Sequence, residues 1–163
     1  MTDSVEKPSI NLSEICERDA LTYRIGNYFE TFSNVEQHLS YLVGRLLNIT
    51  PARIQFLWKD SFTDQKIKTL RRTVEATLGP EHSFWLELKP TINELSRAIE
   101  FRNRLAHGLV ITEQGETKHG KPGASPYLQY EDFEKIDEVT IQIEVERLSR
   151  IGVALMKAQA ELA

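Results

Sequence analysis

One cysteine, Cys16, in 163 residues is too few for an internal disulfide, and a single thiol fits a reducing compartment. No apolar run approaches the ~20 residues that span a bilayer, and the N-terminus carries no signal-peptide core. A cytoplasmic protein with no membrane partner is expected. Positive charge is also short: 20 Lys and Arg against 24 Asp and Glu leave a net charge of −4. That balance argues against coating nucleic acid through a broad basic face, although it leaves room for a small, focused phosphate site. There is no Walker loop and no dinucleotide fingerprint. His38, His82, His107 and His119 fall on different segments without ligand spacing, so neither a metal nor a cofactor is expected. Internal repeats and linkers are missing too. Cys16 reads as a small apolar filler rather than a nucleophile.

What remains is an ordinary globular composition, 40% hydrophobic and 27% charged, of a length that suits one domain with its own core. Residues 1–15 are polar and without period, which predicts a flexible arm before a single helical domain over 16–163. From Glu17 to about Asn48, Leu21, Ile25, Tyr28, Phe32, Val35, Leu39, Leu42, Val43 and Leu46 keep three-and-four spacing. One long helix that survives Gly26 explains this, as does a restart at the capping-box sequence Ser33-Asn-Val-Glu36. Thr50-Pro51 opens a short helix with Ile54 and Leu57 inward. Thr63 to Leu78 follows, with Ile67, Leu70, Val74 and Leu78 inward and Gly79-Pro80 as the stop. Its Lys66, Lys68, Arg71 and Arg72 serve solubility, with a phosphate contact as the lesser reading. Trp58 and Trp85 flank apolar runs and read as packing residues.

A further helix runs from about Trp85, with Pro90 either kinking it or marking its first turn. Two short extended segments around a tip carrying Lys118, His119 and Lys121 fit residues 109–130. These three side chains are weak RNA-contact candidates. Between Asp132 and Leu162 the flanks are helical through Phe133, Ile136, Ile151 and Leu155. Val139 to Val145 alternates like a strand, but Ile136, Thr140, Ile143, Arg147 and Ile151 share a helical side, so helix is expected. The fold class is therefore all-α, an antiparallel bundle of four to five helices with a hairpin-like insertion.

The chemistry concentrates in Glu100-Phe-Arg-Asn-Arg-Leu-Ala-His-Gly108. On a helical wheel Leu88, Ile92, Leu95, Ile99 and Ala106 fall within about 60°, and Arg102 lies inside that stripe. Glu100, Asn103 and His107 line one edge. A buried structural ion pair and a dipole-capping histidine account for this without any function. A functional account also exists. Glu36 is a candidate carboxylate partner for Arg102, or merely the capping residue of its own helix.

Arg102-Asn103-x-x-x-His107, late in a helical domain and followed by Gly108, resembles the signature of HEPN domains. The resemblance covers roughly Leu21 to the C-terminus and matches at motif level only at Arg102, Asn103 and His107. It implies a small helical protein, a homodimer in which two motif helices meet at a symmetric cleft, and metal-independent endoribonuclease activity. Histidine suits exchange of the 2′-hydroxyl proton because it titrates near neutrality. Arginine suits a phosphorane-like transition state because its planar fork matches phosphate oxygens. Asn103, at i,i+4 from His107, can orient the imidazole or bind phosphate. Glu100 and Arg104 are supporting candidates. Arg102 and His107 diverge by about 140°, so one protomer aims them imperfectly. The expected function is cleavage of single-stranded RNA, with a role as a toxin or defence effector and an antitoxin or regulatory protein as candidate partner. The alternative is a non-catalytic helical module that binds RNA, a nucleotide or a protein, which the acidic net charge favours.

Overall fold

The structure, a computed structural model, describes residues 17–59, 61–107, 109–116, 122–129 and 135–162. The expected N-terminal arm, Cys16, Gly108, the tip residues Lys118, His119 and Lys121, and Phe133 lie outside the described residues.

Helix α1 (Glu17–Leu46) is continuous. Ser33 does not restart it, because its hydroxyl donates to the Phe29 carbonyl at 2.9 Å, a bond within the helix. Leu21, Tyr28, Phe32, Val35, Leu39, Leu42 and Val43 are all buried. Burying each such side chain stabilises by about 1.5–3 kcal/mol. The mid-helix Gly26 costs only about 1 kcal/mol, so burial prevails and the helix runs through. Asn48, at φ 53, ends the run in the left-handed conformation that asparagine tolerates.

Helix α2 (Pro51–Trp58) starts with Thr50 extended and Pro51 in the first turn, although Thr50 makes no side-chain cap bond. The helix turns back along α1. Ile54 is buried beside Gly44, where a Cβ would stand 3.1 Å from the Ile49 carbonyl oxygen. Gln55 reaches the Tyr41 hydroxyl at 3.1 Å. Leu57, expected inward, is 61% exposed, because so short a helix on one neighbour buries a single residue.

Helix α3 (Thr63–Thr77) buries Ile67, Leu70 and Val74, with Leu78 half-buried beyond its end. Gly79 then takes φ +94, which favours glycine, and the chain reverses into α4 (Ser83–His107). Pro90 lies inside α4 on an exposed face, past the first turn, so the helix passes through it. Trp85 is buried and the half-buried Trp58 packs against the core, as their flanking apolar runs imply.

Strands β1 (Leu109–Glu116) and β2 (Pro122–Gln129) form an antiparallel hairpin in register from Leu109 opposite Gln129 to Glu116 opposite Pro122. The two-residue β3 (Lys135–Ile136) pairs with the end of β2. The expected helix from 132 therefore begins later, as α5 (Glu138–Glu161). The alternating Val139–Val145 stretch is helical. Its buried side is Ile141, Glu144, Val145, Leu148, Ile151 and Leu155, whereas Val139 and Ile143 point outward. β-branched residues line both faces, which is why the strand-like alternation and the expected inward side both misled.

Helices α1, α3, α4 and α5 form a ring of packed neighbours, with α2 and β2 added against α1. No described helix is long and apolar enough to cross a membrane. The bundle is not antiparallel throughout. Arg24 bonds Glu138 at 3.0 Å and Gln142 at 2.5 Å, while Gln159 reaches the His38 carbonyl at 2.6 Å. Both helices therefore advance together, and α1 and α5 run parallel. Five helices that reverse direction in turn leave the first and fifth pointing the same way.

Asp137 caps α5, accepting from the Thr140 amide at 2.8 Å. The hydrogen bonds from Thr140 hold its carboxyl below the usual 3.8. Asp137→Ala should cost about 1 kcal/mol near neutral pH, measured by urea denaturation. A depressed folded pKa contributes stability above the unfolded value and loses it as pH falls through the folded one. The gap between wild type and Asp137→Ala should therefore narrow below about pH 3.8.

Candidate functional site

The inward face of α4 rotates along its length. Phe84, Trp85, Leu88, Ile92 and Leu95 are buried in its first part, and Ala98, Phe101 and Leu105 in its last turns. That is a shift of roughly 100° around the axis. Positions that extend the first stripe consequently surface: Ile99 is half-buried, and Arg102, Asn103 and Ala106 are exposed. The expectation that Arg102 points into the core is thus corrected. Phe101 and Leu105 offer far more apolar area than Ala106, and α1 supplies their counterpart. The Tyr28 ring sits 5.3 Å from Phe101, and its hydroxyl donates to the Ala98 carbonyl at 2.9 Å. Burial, and then the Glu144 carboxylate, push the Tyr28 hydroxyl pKa upward. Glu144 is itself buried and held by Arg147 at 2.7 Å.

Arg102 does not pair with Glu36. Its guanidinium lies over the Phe29 ring, 5.8 Å from the centroid, and Nη1 donates to Asn103 Oδ1 at 3.2 Å. Glu36 accepts from the Thr63 hydroxyl and stands 3.7 Å from Lys66 Nζ. It is neither cap nor arginine partner; it ties α1 to the start of α3. Arg102 is exposed, and among the described residues it forms no ion pair. Arg102→Ala should change stability by no more than about 1 kcal/mol, the scale of an exposed cation–π contact, in a thermal melt.

Beside Arg102 opens a groove of about 540 Å³ between α1, α4 and the α2–α3 junction. Arg102 and Asn103 form one wall, Phe29 and Glu36 another, and Lys59, Phe62 and Lys66 the third. Among the described residues three cationic and two acidic side chains (Glu36 and Asp64) line it, an excess of one positive charge on a chain of charge −4. His107 is exposed at the helix end, one turn beyond Asn103 and outside the groove lining. Glu100 is exposed on the same edge of α4. Arg104 is not part of this face: it is half-buried, and its guanidinium lies 5.3 Å from the Phe101 ring centroid. Among the described residues no three His, Cys, Asp or Glu side chains come together as a metal site needs.

Sequence patterning missed Lys59, Phe29 and Phe62 as site residues. Phe62 had a readable signal, an aromatic residue between two helical periods and in phase with neither. It occupies the N-cap position of α3 and is 77% exposed.

Among the described residues the fold and site define a bundle of five helices with a groove of mixed charge at one end of the fourth. Comparison with family models, curated protein sequences and solved structures finds no match to this chain.

Proposed function

We propose that the protein is a metal-independent endoribonuclease of HEPN type that cuts single-stranded RNA by transesterification. The observation that supports this reading is an exposed arginine with no ion pair among the described residues, on the same helix end as an exposed histidine and beside a groove that Lys59 and Lys66 also line. The 2′-oxygen attacks the adjacent phosphorus and the bond to the 5′-oxygen breaks, leaving a 2′,3′-cyclic phosphate and a 5′-hydroxyl. His107 takes the 2′-proton, a second imidazolium protonates the departing oxygen, and Arg102 binds the phosphate oxygens. Asn103, bonded to Arg102 in the free protein, orients the guanidinium.

Arg102 and His107 diverge around α4, so a two-fold dimer across the ends of two α4 helices supplies the second imidazole and the missing orientation. Sedimentation at micromolar concentration should give a dimer; a monomer that still cleaves would remove this part of the mechanism. The activity itself is tested by incubating single-stranded RNA with the protein in EDTA and identifying the product ends. Persistent cleavage with cyclic-phosphate ends is expected.

The second reading, a non-catalytic binding module, draws on the net charge of −4 and on the separation of His107 from the groove. Binding of RNA without cleavage under any condition would decide for it. A role as a toxin or defence effector, with an antitoxin or regulatory partner, belongs to the first reading.

A further inference from the structure

The groove beside Arg102 does not end at the α2–α3 junction. A second depression of about 370 Å³ shares Ser33, Glu36, Lys59 and Lys66 with it and continues to Gln55 and Trp58. The shared side chains make the two depressions neighbours beside α1, together a channel with Arg102 on its α4 side. We infer that this channel is the path of a single RNA strand flanking the cut phosphate, with Phe62 as the stacking platform for an unpaired base and Lys59 as a phosphate contact. The inference deepens the ribonuclease reading and rests on it.

Three observations favour an unpaired strand over other occupants. Phe62 presents an exposed ring that no packing demand explains, since it sits at the helix N-cap without a cap bond. Base faces stack on such rings whatever their sequence, but only when unpaired. Next, Arg102, Lys59 and Lys66 line the groove from two of its walls, so a backbone with one charge per nucleotide can meet more than one cation there. Last, Lys66 is partly neutralised by Glu36, whereas Lys59 at the end of α2 is exposed. Lys59 is thus the cation free to meet phosphate without breaking the α1–α3 tie.

Phe62 and Lys59 lie outside the buried core, so substituting them should leave the fold intact. The probe is a fluorescent 2′-O-methyl oligoribonucleotide long enough to span the channel, which cannot undergo transesterification. Phe62→Ala should weaken its binding roughly 5- to 100-fold, and Phe62→Trp should restore it. Lys59→Ala should weaken binding and flatten its salt dependence.

Wild-type binding by Phe62→Ala and Lys59→Ala, in a protein that cuts RNA, overturns the path and leaves the ribonuclease reading standing. Binding that depends on Phe62, in a protein that never cuts unmodified RNA, upholds the path and removes the catalytic reading. Equal affinity for duplex RNA overturns the path, because paired bases cannot stack on the ring.

Discussion

His107→Ala should cut RNA about 10²–10⁴-fold more slowly than wild type, the usual share of a positioned general acid or base. The loss should fall on the rate and leave the fold alone. His107 is exposed in the last turn of α4, so its stability contribution is a helix-end dipole effect on the order of 1 kcal/mol or less. Binding of the non-cleavable oligonucleotide should be nearly unchanged, because His107 lies outside the groove. Single-turnover rates and oligonucleotide affinity, measured on folded protein, separate the two effects. Equal degradation by wild type and His107→Ala would trace the activity to a contaminant. Arg102→Ala is the companion measurement. With no buried partner to strand, its loss of cleavage can be read as lost phosphate binding rather than as unfolding.

The largest expected effect on stability is at Tyr28. Its ring meets Phe29, Phe32 and Phe101 at 5.3–6.2 Å between centroids, and the residue is fully buried. Tyr28→Ala should cost about 3–5 kcal/mol in urea denaturation, through lost apolar transfer and the cavity left behind. That is a large share of the ~5–15 kcal/mol that holds a typical domain together. Tyr28→Phe isolates the hydroxyl and should cost only about 1 kcal/mol. If the phenylalanine variant lost as much as the alanine one, the bond to Ala98 would be the main anchor and the aromatic cluster incidental. Because the Tyr28 ring packs on Phe101, next to Arg102 on α4, a folded Tyr28→Ala protein should also cleave more slowly than Tyr28→Phe, which keeps the ring.

The helices were legible because their apolar periods are long. α1 matched closely, with Ile25 and Leu46 half-buried and the other expected positions buried, since its burial does not change side. The last turns of α4 were misread for the opposite reason. A wheel assumes one inward direction, and α4 changes direction where its partner changes, from the neighbours of Leu88 to the ring of Tyr28. Arg102 therefore looked buried, and Glu36 looked like its counter-ion. No local pattern could have shown that Thr63 and Lys66 claim that carboxylate, because both arrive from the next helix but one. In α5 the outward Val139 and Ile143 hid the inward side, and only the packing against α1 distinguishes them. The motif's exposed edge, Glu100, Asn103 and His107, followed directly from spacing; the groove next to it is tertiary and had no signature beyond an out-of-phase Phe62.

The parallel pairing of α1 and α5 governs the order in which the chain can fold. The bonds that join them link residues 114 to 121 positions apart, so they cannot form until α5 has been made. During synthesis, at ~5–20 residues per second, α1 waits with the apolar face that α5 will cover open to water. Helices α2 and α3 can shelter only other parts of it, as they pack on α1 first. Contacts of such long sequence separation slow folding relative to bundles built from adjacent helices. The last helix is thus the closing element of the domain, and the Arg24 clamp on its first turn fixes where that closure is registered.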